Sequence, residues 1–120
     1  MLQHSLDGPN RALSHLLRGE LGGIAHRRLS IAARLPLEEH VRRTGLADVV
    51  LDTHPYTAHT TVADAFWLDG PPWLALGAGE RFDTRLSSTA VHHLGLCALR
   101  QTSLRGMEDA GVALLQGAAG

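Results

Sequence analysis

The chain has 120 residues, 44% of them hydrophobic, and a formal charge of −1, which sets an expectation of one ordinary folded domain with one modest core. A pI near 6.7 gives no general attraction to nucleic acid or an anionic membrane, and no apolar run reaches the ~18 residues that a membrane span needs. All eleven basic side chains are arginine, so Schiff-base lysine, depressed-pKa lysine and P-loop lysine chemistry are excluded within this chain.

A single cysteine, Cys97, cannot form an internal disulfide. Together with a start, Met1 to Asn10, that lacks the basic-then-apolar order of a signal peptide, it sets the expectation of a reducing, cytoplasmic setting. Residues 1–10 read as a poorly ordered extension, residues 11–116 as the domain and residues 117–120 as a tail.

In chain order, Ala12, Leu13, Leu16, Leu17 and Leu21 recur at helical spacing and Gly22-Gly23 ends the run, which predicts a helix from Pro9 to Leu21. RLSIAARL, Arg28 to Leu35, reads as a strand. Pro36 suits a first helical turn, Glu38 and Glu39 match the positive end of a helix dipole, and Arg42 and Arg43 match its negative end. A short helix over Leu37 to Thr44 follows, stopping near Gly45. The compact apolar run Leu46 to Leu51 fits a strand buried on both faces. After the turn-prone DTHPYTA, Thr60 or Thr61 can cap a helix with the body Val62 to Trp67. Trp73 to Leu76 is a third strand.

Arg81 to Leu94 predicts a helix with Phe82, Leu86, Ala90 and Leu94 on one face. Leu96 to Leu99 reads as a fourth short strand, and Ser103 opens a last helix through Met107, Val112 and Leu115. This alternation predicts an α/β fold, a Rossmann-like parallel sheet flanked by helices.

Ligands of such sheets bind beyond the carboxyl ends of strands, often at helix N-termini. Two junctions qualify. At the second, His59-Thr60-Thr61 leads into a helix, where free N–H groups, two hydroxyls and an imidazole suit a phosphate. Asp64, one turn on, suits vicinal hydroxyls. The same residues would also serve as a plain helix cap, with Asp64 offsetting the dipole. At the first junction, His40 suits stacking on a base with Arg43 near a ring edge or phosphate; a solvated face with Glu–Arg pairs explains the same residues.

Other chemistries find less support. His54 and His59, or the adjacent His92 and His93, match no zinc spacing, and one cysteine excludes paired-cysteine sites. No GxSxG elbow is present. Gly77-Ala78-Gly79 lacks the third glycine of a dinucleotide fingerprint and reads as a loop. Trp67, Trp73 and Phe82 read as core, and Cys97 as buried and inert.

Two stretches go beyond pattern. LPLEEHVRRTGLADVVLDTHPYTAHTTVADAFW, Leu35 to Trp67, resembles the C-terminal catalytic half of the O-linked N-acetylglucosamine transferases, the family that includes the plant SPINDLY proteins. It carries EEHVRR, an LAD…LDT pair, HTT and an aspartate three residues further, ahead of a tryptophan. GERFDTRLSST, Gly79 to Thr89, is similar to that family's GETxASRVAxS segment.

The resemblance implies part of the C-terminal lobe of a GT-B glycosyltransferase, which moves a sugar from a UDP-sugar to Ser or Thr hydroxyls of proteins. It further implies that His59, Thr60 and Thr61 grip the diphosphate and that Asp64 binds the ribose. His40 would stack on uracil, Leu35 would offer backbone contacts beside it, and Arg43 would assist. No metal or other cofactor is implied: the ligand is UDP or a UDP-sugar, and the implied partners are a separate N-terminal catalytic lobe or a tetratricopeptide-containing protein, with neither nucleic acid nor membrane.

The chain also departs from the family pattern. Leu37 stands where animal members carry a lysine, the stretch from Trp67 to Trp73 replaces WAGxPVVT, and about two extra residues lie between Pro71 and Phe82. The family's essential lysine belongs to an upstream segment, and this chain has no lysine. The expectation is therefore UDP binding without transfer in isolation; the alternative is a non-catalytic nucleotide-binding or interaction remnant.

Overall fold

The structure, a computed structural model, describes residues 32–118 continuously and, before them, residues 12, 15–17, 19, 20, 22, 28 and 30. Two compact units divide the chain, Met1–Leu37 and Glu38–Gly120. In the first, Ala12, His15 to Leu17, Gly19 and Glu20 are helical, and the rest of the helix predicted over Pro9 to Leu21 lies outside the described residues. The strand expected over Arg28 to Leu35 is not formed by its described residues. Arg28 is helical, Ser30 and Ala32 to Leu35 have no regular structure, and all but Leu35 are exposed. A strand needs a ladder partner for its N–H and C=O groups, and the three strands among the described residues pair with one another.

The second unit is a three-stranded parallel sheet, β1 Val50–Leu51, β2 Trp73–Leu76 and β3 Arg100–Gln101, in spatial order β1-β2-β3. Helix α1 is Leu37–Thr44, α2 is Thr60–Trp67, α3 is Leu86–His93 and α4 is Leu104–Ala118. Val50 pairs with Trp73 and Ala75 with Arg100.

Every residue of β2 is buried. Its alternation explains why: Trp73 and Ala75 join Val62 of α2 and Val91 of α3 in one cluster, whereas Leu74 and Leu76 join Met107 of α4 in another. With helices on both faces, a central strand has no solvent side, so WLAL is apolar throughout. Each fully buried leucine or valine contributes roughly 1.5–3 kcal/mol relative to exposure. Parallel strands joined by helices, with α2 and α3 on one face and α4 on the other, are the α/β arrangement that the sequence predicts.

α1 starts and stops where its signals place it. Glu38 and Glu39 occupy the first turn and Arg42 and Arg43 the last. The Gly45 N–H bonds the Val41 carbonyl at 3.1 Å. The run expected as strand from Leu46 contributes only Val50 and Leu51, because the N–H groups of Leu46 and Ala47 turn back to Arg43 and Thr44 and close the helix. α2 ends at a Schellman turn: Asp69 has φ +51° and the Gly70 N–H bonds the Ala65 carbonyl at 2.7 Å. A Cβ on Gly70 would stand 2.6 Å from that carbonyl oxygen, so no other residue fits there without movement.

The single helix expected over Arg81 to Leu94 is two pieces, a 3-10 turn at Phe82–Thr84 and then α3. Local side-chain bonds compete with the helix here. Thr84 Oγ1 donates to the Arg81 carbonyl at 2.8 Å, and the Arg81 guanidinium forks onto the Asp83 carboxylate at 3.1 and 2.9 Å. The break rotates α3, so its buried residues are Ser87, Ser88 and Val91 rather than the row from Phe82 to Leu94. Phe82 is 68% exposed and Trp67 88%; of the three aromatics expected in the core, only Trp73 is there. Gly77 to Gly79 is irregular, as read. Leu96 to Leu99 is not a strand: Cys97–Leu99 is a 3-10 turn and β3 begins one residue later. Cys97 is exposed, not buried, with its Sγ 3.6 Å from His92 Nδ1. Ser103 does open α4: its Oγ accepts the Gly106 N–H at 3.0 Å. None of the described helices is long and apolar enough to cross a membrane.

Candidate functional site

The carboxyl end of β1 runs directly into the segment that ends at α2. Its first residue, Asp52, is 9% exposed, and a buried carboxylate must be hydrogen-bonded to be tolerated. Oδ1 accepts the N–H groups of Thr53 at 3.0 Å and Ala58 at 2.9 Å, and Oδ2 accepts the Ser87 hydroxyl. One side chain thus closes the loop from Thr53 to Ala58 on itself and ties it to α3. Thr57 adds a second tie. It is fully buried, and both its N–H and its Oγ1 donate to the Asp83 carbonyl at 3.1 Å.

Held in this way, the loop delivers His59 to the N-cap position of α2. No side chain caps the helix. The capping expected of Thr60 or Thr61 fails because the helix begins at Thr60, which places both threonines inside its first turn with their side chains exposed. An uncapped N-terminus keeps N–H groups without intrahelical partners and the positive end of the dipole.

His59 is half-buried, with its ring stacked on Tyr56 at 4.6 Å and edge-on to Phe82 at 6.2 Å. Its Nδ1 lies 3.4 Å from the Tyr56 hydroxyl, and its Nε2 is buried without a partner among the described residues. Nε2 is therefore a ring nitrogen with no partner among the described residues, a donor or an acceptor according to the tautomer. His59, Thr60 and Thr61 line one cleft of about 430 Å³, whose other walls include Asp52, Tyr56, Thr57 and Trp73. The arrangement gathers donors at a helix N-terminus, which is the chemistry of an anion site.

The remaining predicted residues stand elsewhere. Asp64 follows one turn later on α2 and is exposed, outside the cleft lining. His40 and Arg43 belong to α1, where Arg43 Nη2 and His40 Nδ1 lie 3.2 Å apart, and neither lines the cleft. Leu35 is half-buried in the first unit. The sequence reading missed Asp52, Thr57, Ser87 and Tyr56, which build the loop. An aspartate directly after an apolar run, with an SST in a later helix, was the available signal.

The profile of glycosyl transferase family 41 matches residues 9–118. The chain is 41% identical over 58 residues, 48% of its own length, to a probable UDP-N-acetylglucosamine--peptide N-acetylglucosaminyltransferase SEC of Arabidopsis thaliana. It is 41% identical over 59 residues, 49% of its length, to a UDP-N-acetylglucosamine--peptide N-acetylglucosaminyltransferase of Caenorhabditis elegans. These matches cover 6% and 5% of those two proteins. The family match spans the parallel sheet, its helices and the donor-lined cleft alike, and the chain belongs to glycosyl transferase family 41.

Proposed function

We propose that the second unit binds UDP as the leaving group of a UDP-sugar, in a GT-B-type, protein O-GlcNAc-transferase-like reaction in which a Ser or Thr hydroxyl displaces it. The observation that carries this reading is the unpartnered Nε2 of His59 at an uncapped helix N-terminus, in one cleft with Thr60 and Thr61. A diphosphate has oxygens enough to accept from the helix N–H groups, the threonine hydroxyls and the His59 ring in its Nε2–H tautomer. When the sugar–phosphate bond breaks, negative charge grows on the departing phosphate, and fixed dipoles and N–H groups stabilise it without reorganising. Asp64, one turn further along α2, would accept the ribose hydroxyls. His40 would stack on uracil with Arg43 beside it, as the family resemblance implies.

The chain is given the donor-binding role only, as a cytoplasmic component that works beside a separate catalytic lobe; it has no lysine to replace the essential one of the family. The purified 120-residue chain is expected to bind UDP saturably by calorimetry. A His59→Ala, Asp64→Ala double variant should lose that binding while keeping the wild-type circular dichroism spectrum. Equal binding by the double variant would refute the assignment of the site, and sugar transfer from a UDP-sugar to a peptide by the chain alone would refute the donor-only role.

A further inference from the structure

His59 brings the imidazole to the proposed site, yet nothing on its own helix holds that ring. At the N-cap of α2 it makes no side-chain hydrogen bond to the helix, and its backbone, at φ −108° and ψ −97°, is neither helical nor extended. A side chain that loses its torsional freedom only when a ligand arrives weakens binding, whereas one already held does not.

Among the described residues, the ring contacts of His59 are Tyr56 and Phe82. Tyr56 stacks on it with centroids 4.6 Å apart and planes 26° from parallel, within the range of favourable ring pairs. Phe82 presents an edge at 6.2 Å, towards the far limit of such contacts. The Tyr56 hydroxyl lies 3.4 Å from Nδ1, which is long for a hydrogen bond, so the stacked ring is the firmer hold. Tyr56 itself stands on fixed backbone. Its carbonyl accepts the Thr53 hydroxyl at 2.6 Å, and the next residue is Thr57, buried and doubly bonded to the Asp83 carbonyl. The Tyr56 side chain is 60% exposed, so the core does not call for an aromatic ring at this position.

We infer that Tyr56 is a positioning residue: its ring holds the His59 imidazole in the cleft before a ligand enters, and it acts on binding through His59. The inference deepens the proposed function and rests on it for the ligand, UDP. Tyr56 stands between the LDT and HTT segments and belongs to neither.

Two variants of the full chain separate the ring from its hydroxyl: Tyr56→Leu removes the ring, and Tyr56→Phe keeps it. In a carbon–proton correlation spectrum, with the His59 ring signals assigned through His59→Ala, the ring current of the stacked tyrosine displaces those signals. They should move towards free-imidazole positions in Tyr56→Leu and return most of the way in Tyr56→Phe. UDP binding by calorimetry should weaken about fivefold in Tyr56→Leu, the scale of one aromatic stacking contact, and Tyr56→Phe should recover most of that loss. In a His59→Ala background, Tyr56→Leu should cost nothing further. If the His59 signals stay in place in Tyr56→Leu, or if that variant binds UDP as tightly as the wild type, the inference is overturned and the nucleotide reading stands. An equal loss with and without the His59 imidazole also overturns it, because Tyr56 would then act on the ligand directly. If the wild-type chain does not bind UDP, the nucleotide reading fails and the inference fails with it.

Discussion

The two strand-to-helix junctions that look alike in sequence are built differently. Each offers a histidine near the start of a short helix, with polar or charged neighbours. Within α1, side chains bond their neighbours: Arg42 to Glu38 at 2.7 Å, Arg43 to His40 at 3.2 Å, and Thr44 Oγ1 to the His40 carbonyl at 2.9 Å. No residue of α1 is buried. At α2 the preceding loop is fixed by partners far away in sequence, Ser87 and Asp83, which reach it from the segment leading into α3 and from α3 itself. Hydrogen bonds that pin the backbone in front of a histidine and two threonines suit them to the proposed role, because donors must already be aimed to stabilise a charge without reorganisation.

That comparison can be broken at its strongest point first. Asp52→Ala removes the acceptor of two N–H groups and a hydroxyl in a buried setting. It should cost about 3 kcal/mol of folding stability, measured by urea unfolding, with Asp52→Asn recovering part of it because an amide oxygen still accepts from the backbone. A loss below about 1 kcal/mol would mean that the loop is held by something other than this carboxylate.

His59→Ala should weaken UDP binding about tenfold or more, the worth of one well-placed donor to a charged oxygen, while leaving the urea midpoint close to that of the wild type. Thr57→Val keeps the shape and the backbone bond to Asp83 but loses the hydroxyl bond; about 1 kcal/mol of stability should go with it. The smallest effect belongs to α1. Glu38→Gln breaks an ion pair whose side chains are 77% and 78% exposed, and pairs of this kind contribute little, so a thermal scan should show no resolvable change. A clear loss there would mean that α1 is tied into the fold as firmly as α2.

The sequence made some of this legible. Pro36, two early glutamates, two late arginines and Gly45 bound α1 at both ends, because helix termini are governed by local chemistry. WLAL read as a strand because burial on both faces leaves an uninterrupted apolar run. The parallel topology followed from the alternation of strands and helices with short connections.

What stayed hidden depends on partners distant in the chain. Asp52 reads as a turn residue until Ser87 and Ala58 are seen to bond it. Ser87 and Ser88 read as the solvent side of a helix, yet they face inward because the 3-10 turn at Phe82–Thr84 shifts the phase of α3. Cys97 lay in an apolar run and is exposed all the same, in a turn that precedes a strand of two residues. Trp67 and Trp73 are chemically alike and lie six residues apart; only the position of β2 decides that one is solvated and the other part of the core. Of the candidate site, the helix N-terminus and its three residues were legible, whereas the polar bonds that fix them were not.

The nucleotide is proposed to sit on the anchored junction at α2. Hydrogen–deuterium exchange of the full chain with and without saturating UDP addresses it directly. The first N–H groups of α2 have no intrahelical acceptor and should exchange quickly in the free protein. With UDP bound, amides from Ala58 to Val62 should become protected, more than any in Leu37 to Thr44. UDP that binds without slowing exchange in Ala58 to Val62, or that protects Leu37 to Thr44 alone, would place the nucleotide elsewhere.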